Sequence, residues 1–270
     1  MNHSIILSFL VFFPMLGGII GYIIGRKNKN ARDYWAMLVT LLTFGASLLL
    51  IGKEEAFHET GICGLGLLFA GGGLQVILAV LTGAIWFITT IYSKEYFQQD
   101  RNRNRYYLFM LLTEGATMGI FLSADFFTTF IFFEIMSFTS YVWVAFDEKK
   151  ESLKAAEIYL AVAVIGGLAM LMGLFLLYDM TGTLEIDGLA GAAEIILSGN
   201  GVYGPQGPVR LYVAGGLLLF GFGVLYLWKG HDARYFSPAF SALPAPFFMP
   251  KKGGIFRAKT ARSLRRYIKE

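Results

Sequence analysis

The sequence predicts an all-α membrane bundle of about seven spanning helices, and three observations predict it. Of its 270 residues 56% are hydrophobic and only 16% are charged, against about 25% charged in soluble domains. Seven apolar runs recur, each near the ~20 residues that cross a bilayer as a helix. The third observation is where Lys and Arg fall. The connections between runs hold 4, 1, 4, 0, 3 and 1 of them in order, counting Arg210 at the head of the last run, and the residues after Trp228 hold 10. By the positive-inside rule this alternation puts the N-terminus outside and the tail in the cytoplasm of a cell's inner (plasma) membrane.

Other classes are disfavoured by the same composition. The mean hydropathy is +0.57. Residues 1–228 carry a net charge of −4 and residues 229–270 a net +8, so the basic residues do not form a nucleic-acid face. Cys63 has no second cysteine, and His3, His58 and His231 show no ligand spacing. No metal or cofactor site is expected.

Residues 1–60 read as an N-terminal two-helix segment, with spans Ile5–Ile24 and Tyr34–Ile51. Positive charges follow the first span and no small-residue cleavage site ends it, which favours a retained helix over a signal peptide. A polar loop follows from Gly52 to Thr60. Within 61–228, Gly71-Gly72-Gly73 breaks a run too long for one helix. This leaves Gly61–Ala70 as a short hairpin or re-entrant piece and Leu74–Tyr92 as the third span. A charged loop leads to the fourth span, Tyr106–Ser123, which carries Glu114.

Asp125 is a candidate N-cap for the fifth span. Between Asp125 and Asp147 the only charge is Glu134, the ninth of twenty-one residues. Twenty-one residues make about 31 Å of helix, so Glu134 sits near half depth. An ionised group there costs on the order of 3 kcal/mol or more. It is either a proton or cation site or a protonated group joining helices, and Ser137 and Tyr141 on its face could hydrogen-bond to it or to water. Glu114 lies at similar depth on the antiparallel neighbour. Either the two carboxyls face one gap and share a proton, or Glu114 faces another element. The sixth span, Ala155–Tyr178, carries Glu157 near its start and Gly166-Gly167 in its middle, small enough for close helix packing. Glu157 either extends a polar path or pairs at the interface with Lys154. Thr181–Pro208 reads as a loop with weak helical character over Leu189–Leu197, and Val209–Trp228 is the seventh run.

Phe130-Ile-Phe-Phe-Glu-Ile-Met-Ser137, preceded by Leu122-Ser-Ala-Asp-Phe-Phe-Thr128 and followed by Ser140-Tyr-Val-Trp-Val144, resembles the fifth helix of antiporter-like proton-channel subunits. That family includes the large membrane subunits of complex I, of energy-converting hydrogenases and of Mrp sodium/proton antiporters. The resemblance implies that Glu134 matches the family's key protonatable glutamate. It covers roughly residues 60–224, about half of a normal subunit. Past Leu217–Val224 the family continues with a Lys-Ala-Gly motif whose lysine works with that glutamate, and then with a long second half. Here Leu225-Tyr-Leu-Trp228 stands in its place. Lys229 follows four residues late and either substitutes or snorkels to the interface. Residues 229–270 are proline-dotted, basic and without family character. They are expected to be either a lipid-facing cytoplasmic tail or, preferably, out-of-frame translation, which reading the gene in its other frames tests.

The resemblance implies a proton-translocating, non-redox subunit of a complex I-like or hydrogenase-like oxidoreductase (NADH-quinone oxidoreductase among them). Its expected partners are other membrane subunits, protons, possible Na+ and lipid, with no nucleic acid and no cofactor. The alternatives are an Mrp-type sodium/proton antiporter subunit, or a truncated structural or inactive subunit.

Overall fold

A computed structural model describes residues 4–52, 55–59, 66–96, 102–146, 148, 150–199 and 203–227. Its elements are α1 (Ser4–Lys27), α2 (Lys29–Leu48), β1 (Glu55–Glu59), β2 (Leu67–Gly71), α3 (Gly73–Tyr96), α4 (Arg103–Leu122), α5 (Phe126–Val144), α6 (Lys150–Thr181), α7 (Ile186–Leu197) and α8 (Gly207–Leu227). Every helix except α7 has 19 residues or more. Four, α1, α3, α5 and α6, are long and apolar enough to cross a membrane by length and composition.

Helices α1 to α4 pack as one group, with α1 against both α2 and α4. Helix α5 joins this group to α6, and α6 packs along α8. Small residues permit the closest approaches. A β-carbon on Gly18 of α1 would stand 3.0 Å from the Leu108 carbonyl oxygen of α4, and one on Gly83 of α3 would stand 3.0 Å from Cα of Phe44 in α2. Indoles tie helices to neighbouring backbones: Trp35 Nε1 donates to the Gly17 carbonyl at 2.9 Å and Trp86 Nε1 to that of Met110 at 3.0 Å.

The three basic connections meet at one end. The expected loop between the first two spans is a single residue, Asn28, whose side chain caps α2 by accepting from the backbone N–H groups of Asn30 and Ala31. Arg32 and Asp33 are therefore helical, and each is only 1% exposed. Arg32 donates to Asp33 Oδ1 through Nε (3.1 Å) and Nη2 (2.8 Å), and Arg103 Nη2 donates to Asp33 Oδ2 at 2.5 Å. Arg103 also donates to the Lys94 carbonyl, so one carboxylate and two guanidinium groups bind α2, α3 and α4 together. Both guanidiniums lie over the Tyr107 ring, 5.0 and 5.8 Å from its centre. Farther out, Arg105 pairs with Glu148 at 2.7 Å.

The opposite end is held by backbone. Strands β1 and β2 pair antiparallel, from Glu55 opposite Gly71 to Glu59 opposite Leu67. The expected hairpin is thus present but wider than 61–70, because its first strand lies in the stretch expected to be a polar loop. Ala124 N–H donates to the Leu68 carbonyl and Leu68 N–H to Thr128 Oγ1, both at 2.9 Å. Phe126 N–H donates to the Leu184 carbonyl and Ile186 N–H to that of Ala124. Gly73, with φ +46, opens α3 after β2, so the glycine run makes the break as expected.

The stretch expected to be a loop with weak helical character over Leu189–Leu197 contains helix α7, which covers those residues, and a short 3-10 turn, Gly204–Gln206. Its apolar side has α6 and α8 to bury against: Ile196 packs with Leu174, Leu177 and Ala214. Tyr203 donates to the Asp179 carboxylate, which holds the phenol above its usual range, and Arg210 covers its ring at 4.1 Å.

Removing Asp33 would leave two buried guanidiniums facing each other. Asp33→Ala is expected to lose about 3 kcal/mol or more of stability, read by denaturant titration of the chain in detergent. Glu148→Ala, which breaks the exposed pair, should cost less than about 1 kcal/mol. Equal losses would contradict the role given to Asp33.

Candidate intramembrane carboxyl site

Asp125 sets where α5 begins. Its backbone is extended, and its carboxylate accepts from Thr128 N–H at 2.6 Å and Thr128 Oγ1 at 2.7 Å. This satisfies donors that a helix start leaves free. Glu134 follows eight residues after Phe126, and Glu114 precedes Leu122 by eight. Each acid is thus about 12 Å from the shared turn along its helix. The two are level.

Glu134 turns toward α6. A β-carbon on Gly167 would stand 2.6 Å from Oε1, 2.8 Å from Cδ and 2.9 Å from Oε2 of Glu134. The carboxyl therefore occupies the space that any larger residue at 167 would fill. The adjacent glycine serves the other side of α6: a β-carbon on Gly221 of α8 would stand 2.6 Å from the Gly166 carbonyl oxygen. Glu134 is half-buried and accepts no hydrogen bond from the described protein groups. Ser137 is buried, and its carbonyl accepts from the Tyr159 hydroxyl at 3.3 Å. Tyr141 packs beside Tyr159 and Ala163. Neither the Ser137 nor the Tyr141 hydroxyl bonds to Glu134, so the first of the two partners expected for them is not the one adopted.

Glu114 is fully buried, and neither carboxyl oxygen has a hydrogen-bond partner among the described residues. It continues the α4 stripe of Tyr107, seven residues earlier, which lies beneath Arg32 of α2. The residue that looks to α5 is its neighbour Thr113, whose Oγ1 donates to Thr139 Oγ1 at 3.1 Å. One step along a helix rotates a side chain by about 100°. Level carboxyls on adjacent helices therefore face different elements, and no proton is shared directly between Glu114 and Glu134.

Glu157 lies exposed on α6 and, among the described residues, forms no ion pair with Lys154, which is also exposed. Ordering two long exposed side chains costs about as much as a screened pair returns. Lys229 and the tail lie outside the described residues. The Arg32–Asp33–Arg103 cluster was not anticipated, since these residues read as loop charges. The available signal was the stripe Asp33, Ala36, Thr40, Thr43, Ser47, which keeps helical spacing from Asp33 onward.

A half-buried carboxyl midway along its helix, without a committed donor among the described residues, can exchange a proton with water that reaches it.

Residues 123–226 match the family model described as NADH:quinone oxidoreductase/Mrp antiporter, TM. The "Putative antiporter subunit mnhD2" of Staphylococcus aureus is 29% identical over 197 residues, which cover 70% of this chain and 39% of that protein. The chain thus spans about two fifths of the length of the curated relatives it matches. Among solved structures, the membrane-bound sulfane sulfur reductase, an archaeal respiratory membrane complex, matches with TM-score 0.70 and 20% identity over 89% of this chain and 48% of that one. The Mrp complex from Dietzia sp. DQ12-45-1b matches with TM-score 0.60 and 17% identity over 88% and 29%. Respiratory complex I from Thermus thermophilus matches with TM-score 0.60 and 18% identity over 88% and 46%. At these identities the structural likeness is one of fold. Residues Ser123 to Tyr226 thus carry the NADH:quinone oxidoreductase/Mrp antiporter transmembrane pattern, the fold is that of antiporter-like membrane subunits, and four of the described helices are long and apolar enough to cross a membrane.

Proposed function

We propose that the chain is a proton-translocating antiporter-like subunit of a complex I-like or energy-converting hydrogenase-like membrane complex, with Glu134 as its intramembrane proton carrier. The observation that carries this reading is the place of the Glu134 carboxyl: midway along α5, turned onto Gly167 of α6, with no fixed donor among the described residues. A carboxylate held by an arginine, as Asp33 is, keeps its charge and moves nothing. Among the described residues Glu134 has no such partner, so its proton is free to leave along water paths opening alternately to the two sides. Electron transfer in partner subunits would drive that alternation, and this subunit would hold no redox centre. The end bearing Arg32, Arg103 and Arg105 faces the cytoplasm and the N-terminus lies outside.

A second reading keeps the same carboxyl and changes the complex. The similarity to the Staphylococcus aureus antiporter subunit and to the Dietzia Mrp complex favours an Mrp-type subunit coupling sodium and proton movement. Proton flux that depends on a sodium gradient would select it over the first.

In vesicles carrying a pH gradient, Glu134→Gln is expected to reduce proton movement to that of protein-free vesicles. Equal movement by the parent chain and the variant would overturn the carrier role. Gly167→Ala should leave the fold intact, because the atoms it displaces are the far end of a flexible side chain, yet it should lower the flux. Shortening the acid in Gly167→Ala/Glu134→Asp should then restore part of the flux. If Gly167→Ala is silent, the contact with Gly167 has no part in transport.

A further inference from the structure

The structure points to a second proton-holding site, inside the α1–α4 group and separate from the Glu134 site: we propose that Glu114, with buried threonines of α2 and α3, encloses a bound proton and its water.

Glu114 is 0% exposed, and both its oxygens are without a partner among the described residues. An ionised carboxylate left so would cost several kcal/mol. The helix registers identify what surrounds it. Helices α2 and α4 run parallel, and Asp33 of α2 is level with Arg103 and Tyr107 of α4 through their ion pair and ring contacts. Seven residues farther on each helix come Thr40 and Glu114. Helix α3 runs antiparallel to α4 and crosses it where Trp86 and Thr90 meet Met110. One turn along from there lie Thr82 and Glu114. On α1, Met15 and Val11 abut Gly115, the residue after Glu114.

Thr40, Thr43 and Thr82 are buried, at 0%, 0% and 5% exposure. Each spends its single hydroxyl proton on its own helix: Thr40 on the Ala36 and Met37 carbonyls, Thr43 on Val39, Thr82 on Leu78. A hydroxyl used this way offers only acceptor lone pairs to the interior. An ionised carboxylate among acceptors has nothing to accept from. A protonated carboxyl, or a water carrying a proton, has donors for them. The chemistry of the lining therefore selects the proton.

The nearest charges along this stripe are Arg32 and Asp33 on α2 and Arg103 on α4, already joined to one another. The charges of α1 (Arg26, Lys27) and of α3 (Lys94, Glu95) lie at that same end, and Glu134 of α5 faces α6. Among the described residues no cation is left to neutralise Glu114, so a proton does. The inference does not require that Glu134 carry protons.

Infrared spectroscopy of the full chain in lipid vesicles at neutral pH tests it, reading the carbonyl stretch of a protonated carboxylic acid. The band is expected in the parent chain, retained in Glu134→Gln and lost in Glu114→Gln. Thr40→Val and Thr82→Val, which remove an acceptor while keeping volume, should each shift the band upward in frequency. Their shift supports the proposal even should Glu114→Gln fail to fold. A band unchanged by Glu114→Gln, or unmoved in both threonine variants, would overturn it. Loss of the band on adding sodium at constant pH would also overturn it, assigning the site to that cation instead.

Discussion

Inside a bilayer a polar atom can look only to protein, or to water that protein admits, for its partner. That constraint orders the charged groups of this chain by their fate. Asp33 lies between two arginines and is fixed. Asp125 is spent on the first turn of α5. Glu134 lies against a bare stretch of α6 backbone, and Glu114 is closed among α1 to α4 with no committed donor. The first two acids hold helices in place, and the last two have no hydrogen-bond donor among the described residues.

The two ends of the group support the middle. At the basic end, ionic contacts lock α2, α3 and α4 in depth, and at the other end the hairpin and the α6–α7 connection grip the α4–α5 turn through backbone hydrogen bonds. Because Asp125 fixes the first residue of α5, it also fixes the height at which Glu134 emerges. Because Gly166 and Gly167 are adjacent, α6 accepts α8 on one side and that carboxyl on the other. Depth comes from the cap, and the close approach to α6 from the glycine pair.

Most of the architecture was legible in the sequence, because length, apolarity and Lys/Arg placement report directly on what spans a membrane. Asp125 as a cap, the glycine break before α3 and the small-residue approach at Gly166-Gly167 were readable for local reasons. What failed depended on direction. Glu114 and Glu134 sit at equal depth, yet depth does not tell azimuth, and one residue's rotation separates their surroundings. Arg32 and Asp33 looked like loop charges because counting positives treats them as solvated. Only the turn collapsing to Asn28 makes them interior. Helix α7 was legible only as weak helical character over Leu189–Leu197, because what it buries against, α6 and α8, lies outside its own segment.

The most direct measurement of the central claim is magic-angle-spinning NMR of the full chain in lipid bilayers, with glutamate side-chain carboxyl carbons and glycine α-carbons labelled. A short-range cross-peak between Glu134 and Gly167 is the predicted result. A Glu134 carboxyl that instead contacts lipid acyl chains and gives no glycine cross-peak would contradict the account.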